Sequence, residues 1–311
     1  MNDPITDLRS IELETLNNLK LSKANNTIRA YKSDFKDFAG FCIKNGFRPL
    51  PSEPKVVSLY LTYMSSGGKK ISTLKRRIAS ISVVHRLKGH YIDTKHPIII
   101  ENLMGIRRKM GSYQKSKKPI LINELKEIIK AIDDSNKYDG KLDEERAVRD
   151  KAIILTGFAG GFRRSELVSI DYDDLEFVPE GVKIFIKSSK TDQSGEGMIK
   201  ALPYFENKAF CPVTFLKKWL EISKIKRDLV FNISDKSVAL LIKKYTSFAG
   251  LDSNKYSGHS LRSGFATVSA EFGADERSIM TMTGHKTIQM VRRYIKEANL
   301  FKNNALKKIK I

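Results

Sequence analysis

Residues 283–295 read TGHKTIQMVRRYI, and the fold follows from what this stretch shares with three others upstream of it. Its phenol, Tyr294, lies nine residues after His285 on a segment that also carries Arg292 and Arg293. The chain has eleven tyrosines, so a tyrosine alone says nothing. Adjacent guanidiniums set this one apart, because they lower the cost of forming a phenolate from a group whose ordinary pKa is about 10.

Working back toward the N-terminus, residues 258–264 read GHSLRSG. His259 and Arg262 stand three apart at the start of an expected helix, so both face one side of it. Gly258 and Ser260 fall where a helix N-terminus would offer free backbone N–H groups to an anion. Residues 189–197 read SKTDQSGEG and join two expected strands. The ammonium of Lys190 suits proton donation to a departing oxygen, because its charge is mobile where that of arginine is fixed. Lys187 is a rival for that task, and a solvated turn lysine is the bland alternative. Residues 161–167 read GFRRSEL. Here Arg163 lies where an apolar helix over 152–158 passes through Gly160-Gly161 into a second helix near Ser165, and a guanidinium so held can fork onto a phosphate. Glu166 could brace it, and an ordinary surface ion pair is the competing account. Two guanidiniums, an ammonium, two imidazoles and a phenol together make a phosphate cage with a nucleophile beside it.

Helical periodicity fills most of the remaining chain. Ile28, Tyr31, Phe35, Phe38 and Cys42 predict a helix over 27–45 that stops at Gly46. Val57, Tyr60, Leu61 and Met64 predict a second, and Ile71, Leu74, Ile78, Ile81 and Val84 a third. A fourth is expected over Asn102–Lys109, closing a compact bundle near Gly111. Beyond it, Leu125, Ile128, Ile129 and Ile132 predict a helix from Asn123, and another is expected from Ala147 to Phe158. Phe177–Val178, Val182–Ile186 and Met198–Leu202 read as short strands between turns, and the chain from Pro212 onward reads as helical. The expected fold is mainly α with a small antiparallel sheet, in two domains: a helical bundle over 1–112 and an α+β domain over 120–311, with a basic linker at 113–119.

Composition narrows the partners. Fifty-six Lys+Arg against 35 Asp+Glu leave a net charge of +21, which favours a polyanion, nucleic acid before a membrane surface. Residues 1–118 hold 23 basic and 9 acidic side chains, so the excess concentrates in the first third. Lys75, Arg76, Arg77, Arg86 and Lys88 on the third helix are the expected groove contacts, with Lys115, Lys117 and Lys118 of the linker on phosphate. Each phosphate so neutralised would make binding weaken with salt. Cys42 and Cys211 fit reduced core thiols. No run of eighteen apolar residues and no leader-like N-terminus is present, so a cytoplasmic protein is expected. The acidic run Asp171–Glu176 reads as a solvated turn, no metal-binding spacing stands out, and no phosphate-binding GxxxxGK[ST] loop occurs, so neither a metal nor a nucleotide cofactor is expected.

The order R-x-x-E-L, K-T-D, H-x-x-R, G-H, Tyr resembles the tyrosine recombinase or phage integrase family over about 118–298, and more weakly over 20–110. That resemblance implies an N-terminal core-type (SAM-like) DNA-binding domain and an integrase-like catalytic domain that form a clamp around DNA. It further implies that Arg163, His259 and Arg262 bind the scissile phosphate, Lys190 is the general acid, His285 assists and Tyr294 attacks. The implied activity is site-specific cleavage and rejoining of DNA through a 3′-phosphotyrosine and a Holliday junction, by a homotetramer on two duplexes. Residues 299–311 would dock on a neighbouring protomer, and an accessory directionality protein could take part. About twenty residues precede the first bundle helix, so the simple type without an arm-binding domain is expected. Type IB topoisomerase-like relaxation and a catalytically inactive DNA-binding protein remain as alternatives, the first separated by whether products join two different duplexes.

Overall fold

The computed structural model describes residues 10–11, 14, 25–111, 116–135, 144–187, 189 and 196–299. Lys115, Lys190 and residues 300–311, on which several expectations fell, lie outside the described residues. The chain divides into two compact units, Met1–Lys115 and Ser116–Ile311.

In the first unit four helices pack together: α1 (Asn25–Lys44), α2 (Pro54–Ser66), α3 (Ile71–Leu87) and α4 (Pro97–Met110). Their apolar stripes meet in a core built on Phe38, Tyr60, Leu61, Leu74, Ile81 and Ile99, all at or near zero exposure. Phe38 and Tyr60 meet edge-on, with ring centroids 5.1 Å apart, a geometry the aromatic quadrupoles favour. Helix α4 starts five residues before the predicted Asn102. Pro97 fits the first helical turn, where its missing N–H is no loss, and His96 caps it by accepting from the Ile98 N–H. The apolar triplet Ile98–Ile100 concealed that helical start. Another polar group sits wholly inside this core. His85 has no exposure; its Nε2 accepts from the Ser52 N–H at 3.0 Å, and its Nδ1 therefore carries the proton given to Ile81 O at 2.8 Å.

The second unit is organised on α6 (Glu144–Ala159), buried all the way from Asp150 to Ala159. Around it lie α5 (Ile122–Asp133), α8 (Pro212–Ser223), α9 (Asp235–Phe248) and α10 (His259–Glu271). The short helix α7 (Arg164–Val168) leads into a three-stranded antiparallel sheet in the order β1 (Leu175–Val178), β2 (Gly181–Ile186), β3 (Met198–Pro203). Helices α11 (Glu276–Thr283) and α12 (Ile288–Asn299) finish the described chain. The polar ends of buried rings are matched: Trp219 Nε1 donates to Val230 O at 2.7 Å and Tyr245 Oη to Asp150 at 2.8 Å.

Residues 117–120 are stitched to this unit rather than spanning freely. The Lys118 N–H donates to Lys255 O, the Ile120 N–H to Ser260 O, and Lys117 Nζ to Asn254 O. Gly264 permits this, since a Cβ there would lie 2.0 Å from Ile120 O. Both cysteines are buried free thiols. The acidic run is not wholly solvated as expected: Asp174 is 7% exposed, accepts from the Asp171 N–H and pairs with Lys187. Burying one carboxylate is tolerated here because a backbone donor and an ammonium both satisfy it. No described helix is long and apolar enough to cross a membrane.

Burial lowers the pKa of His85 below its ordinary 6.5, against the opposing pull of the Ile81 carbonyl. A histidine held neutral binds protons less readily folded than unfolded. Its contribution to stability is therefore complete above pH 6.5 and is lost as pH falls from there through the lowered folded value. His259 and His285 act in the same direction. Urea unfolding of the full chain should show stability dropping below pH 6.5, and His85→Gln should flatten that drop; an unchanged slope in the variant would contradict the assignment.

Candidate active site

Each side chain of the cage is placed by the end of a helix. Helix α6 stops at Ala159, and Gly161, with φ +54°, turns the chain so that Arg163 caps α7. The Arg163 guanidinium donates to Glu166 Oε1 at 2.5 Å, to Ser189 Oγ at 2.6 Å and to Gly284 O at 3.2 Å. Glu166 also accepts from the Arg163 N–H at 2.9 Å and from Ser189 Oγ at 2.8 Å. It is 2% exposed. Burial pushes its carboxyl up, but Lys200 and Arg163 pull harder and the net pKa is lowered, so the group is an anion. Glu166 thus braces Arg163 as a buried partner; the surface ion pair considered from sequence is excluded.

Arg262 is 1% exposed on α10. One of its nitrogens, Nη1, donates to Gly161 O at 3.0 Å, while Nη2 is buried with no hydrogen-bond partner among the described residues. Burial, and then Arg163, lower its pKa to about 10, which leaves it charged near neutrality. A buried, charged and unpartnered donor is costly unless an anion completes it.

His259 opens α10 and lies on the same side as Arg262. Its Nε2 is 3.3 Å from the Tyr294 hydroxyl of α12. Burial first, and then Arg262 and Arg163, lower its pKa, so the ring is neutral at pH 7. His285 follows Gly284, the left-handed cap of α11, and its ring lies 5.9 Å from that of Tyr294. The Thr283 hydroxyl donates its one proton to Ile279 O at 2.6 Å, so at 2.7 Å it accepts from His285 Nδ1. That fixes the tautomer and leaves His285 Nε2 with its lone pair. Burial, and then Arg262 and Arg163, lower His285 to about 4.

The structure therefore brings Arg163, His259, Arg262, His285 and Tyr294 together. Lys187 points elsewhere, with Nζ 2.9 Å from Asp174 Oδ1, and that hydrogen bond raises its pKa. Ser189, next to Lys190 in sequence, is tied to Arg163 and Glu166. The free helix N–H expected at Ser260 is a correction: that N–H donates to Ser257 O at 2.8 Å, because the chain turns tightly there and Ser260 is wholly buried. Of the two arginines beside the phenol, Arg292 pairs with Glu276 at 3.1 Å, whereas Arg293 acts on His259. Of the expected DNA contacts, Lys75 and Arg86 are exposed on α3 and Lys88 at its C-cap, and Lys117 and Lys118 are exposed in the second unit. Arg76 pairs with Asp34 at 3.1 Å. Arg77, with its side chain 13% exposed, is tied to Asp34 and Asp37. No group of three His, Cys, Asp or Glu side chains able to hold a metal occurs among the described residues.

Lys200 escaped the sequence reading. It lies on β3 with no exposure, donating to Gly160 O at 2.7 Å and Met282 O at 2.6 Å, 3.8 Å from Glu166 Oε2 and over the Phe162 ring. The period of two on β3 puts it on the inward face with Leu202. Ile199 and Ala201 made the opposite face equally apolar in sequence, which hid the phase.

The profile of the phage integrase family matches residues 120–300. The chain is 40% identical to an integrase/recombinase XerD homolog of Selenomonas ruminantium, an alignment spanning 99% of this chain and 92% of that protein. It is 26% identical to a tyrosine recombinase XerC of Thermodesulfovibrio yellowstonii, over 90% and 89% of the two chains. Among solved structures, it resembles a XerH site-specific recombinase bound to a palindromic difH substrate in a post-cleavage complex, at TM-score 0.66 and 18% identity over 89% of this chain and 80% of that one. It likewise resembles a lambda integrase dimer bound to a COC′ core site, at TM-score 0.58 and 17% identity over 93% and 75%. At such identities these two likenesses speak for the fold.

Glu166→Ala should cost about 3–5 kcal/mol, because it leaves buried cations without their carboxylate. Glu166→Gln, which keeps an acceptor for the Arg163 N–H, should cost less. Urea unfolding of the full chain measures both; equal, small losses would contradict the buried pairing.

Proposed function

The chain belongs to the phage integrase family, and from that premise we propose that it is a site-specific recombinase that cuts and rejoins DNA through Tyr294. The observation that carries this reading is Arg262 Nη2, buried near Arg163 with no partner among the described residues, with the Tyr294 hydroxyl on the neighbouring His259. A phosphodiester supplies the missing acceptor, and preorganised donors in a dry site are the usual source of charge stabilisation in phosphoryl transfer.

In this reading the phenol oxygen of Tyr294 attacks phosphorus in line. The O–P bond to tyrosine forms as the P–O5′ bond breaks, leaving a 3′-phosphotyrosine. The phenol proton passes to His259 Nε2, which is open to it because burial and neighbouring guanidiniums keep that ring neutral. Arg163, Arg262 and His259 hold the non-bridging oxygens, and His285 assists. The 5′ oxygen takes its proton from Lys190; Lys187 is occupied by Asp174. One ester replaces another, so a 5′-hydroxyl from a partner duplex reverses the step and passes through a Holliday junction without a metal or nucleotide. A homotetramer on two duplexes performs the exchange, with the bundle unit gripping DNA through the exposed Lys75, Arg86 and Lys88.

Tyr294→Phe should abolish the covalent protein–DNA adduct on a nicked suicide duplex while binding stays within a few-fold of wild type, as read by denaturing gel and by gel shift. Arg262→Ala should slow adduct formation roughly 10²–10³-fold, the usual effect of removing a preorganised donor. Adduct formation at the wild-type rate by Tyr294→Phe would sink the nucleophile assignment. Two labelled duplexes should yield joined products; relaxation without joining would favour a topoisomerase.

A further inference from the structure

Lys200 is buried at a place where burial is unfavourable. Its ammonium lies close enough to Arg163 and Arg262 to feel their charge, and burial first, with Glu166 opposing and those two cations adding to it, lowers its pKa to about 7. An apolar side chain of similar length would fill the same space over Phe162 without that electrostatic penalty. What the ammonium adds is a set of three aimed donors. Two are taken by carbonyls from separate turns, Gly160 O at the end of α6 and Met282 O near the end of α11, and the third direction faces Glu166 at 3.8 Å.

Those turns are the ones that carry the cage. Gly160 leads through Gly161, whose carbonyl takes Arg262, into Arg163. Met282 precedes Thr283, which fixes the tautomer of His285, and Gly284, whose carbonyl takes Arg163. Glu166 holds both Arg163 and Ser189, the residue adjoining Lys190. We propose that Lys200 is a positioning residue for strand cleavage, its buried ammonium fixing the turn that bears Arg163 against the turn that bears His285. It touches neither phosphate nor leaving oxygen, so it acts through Glu166 and the two carbonyls. The proposal rests on the recombinase reading and deepens it.

The test compares wild type, Lys200→Met and Lys200→Gln in the full chain, with single-turnover adduct formation on a nicked duplex, duplex affinity by gel shift and thermal melting measured side by side. Displacements of about 1 Å in a reacting constellation slow chemistry about 10²-fold, and a loss of that size is expected for Lys200→Met with duplex affinity within threefold of wild type. Lys200→Gln, which retains two donors for the carbonyls, should recover part of the rate and keeps the test available if the Met variant does not fold. Wild-type rates in a folded Lys200→Met or Lys200→Gln protein would overturn the proposal, as would affinity falling in step with rate. Failure of wild type itself to form an adduct would instead strike the recombinase reading.

Discussion

One buried carboxylate holds the catalytic unit's polar interior together. Glu166 receives the backbone and side chain of Arg163, the hydroxyl of Ser189 and the charge of Lys200. Arg262 lies close enough to feel both Glu166 and Arg163. Among the described residues the buried cations outnumber their single anion, and that imbalance opposes folding. It is also what a phosphate site requires, since donors that are already desolvated and fixed need not reorganise when an anion arrives.

Backbone carbonyls supply the remaining counter-dipoles. Gly160 and Gly161 follow the C-terminus of α6, and Met282 and Gly284 lie at the C-terminus of α11. These four carbonyls hold Lys200, Arg262, Lys200 again and Arg163. A helix C-terminus carries unsatisfied carbonyls and the negative end of the dipole, so each end suits a cation. Gly161 and Gly284 both have positive φ, at +54° and +59°, a backbone state that side-chain-bearing residues rarely adopt. The glycines turn the chain so that its carbonyls face inward, which is why they flank the charged residues in sequence.

What could be read in advance followed from periodicity and residue order. The first three bundle helices, the helix at 122–133 and strands β2 and β3 lie where apolar spacing puts them, because each buries one face. Five cage residues could be named from sequence because their types, taken in order, are uncommon together. Lys200 could not, since a short strand with apolar residues in both phases hides which face is inward. Ser189 and Thr283 escape for another reason: a hydroxyl's role depends on its hydrogen-bond partners, the distant Arg163 for one and the nearby His285 ring and Ile279 carbonyl for the other, and apolar spacing reveals neither. Arg77 shows the opposite error. A basic residue on an expected exposed face proves to be tied into a pair with Asp34 and Asp37, and only tertiary packing distinguishes it from its exposed neighbour Lys75.

The guanidiniums and Tyr294 differ in how they are anchored. Arg163 and Arg262 sit among residues of the large core around α6, where Phe158, Phe162, Leu167 and Leu261 are buried. Tyr294 and Ile295 instead pack on a small separate cluster of Ala266, Ala270, Ile279 and Val291. Apolar stabilisation scales with the area removed from water, and two alanines in four residues supply little of it. Among the described residues α12 therefore packs on a smaller apolar cluster than the one around α6, and it does so against α10, which also bears Arg262. Arg163 and Arg262 are built against the larger core. In the proposed reaction the phenol that advances on phosphorus is carried by a helix packed on the smaller cluster, apart from the core that fixes the guanidiniums.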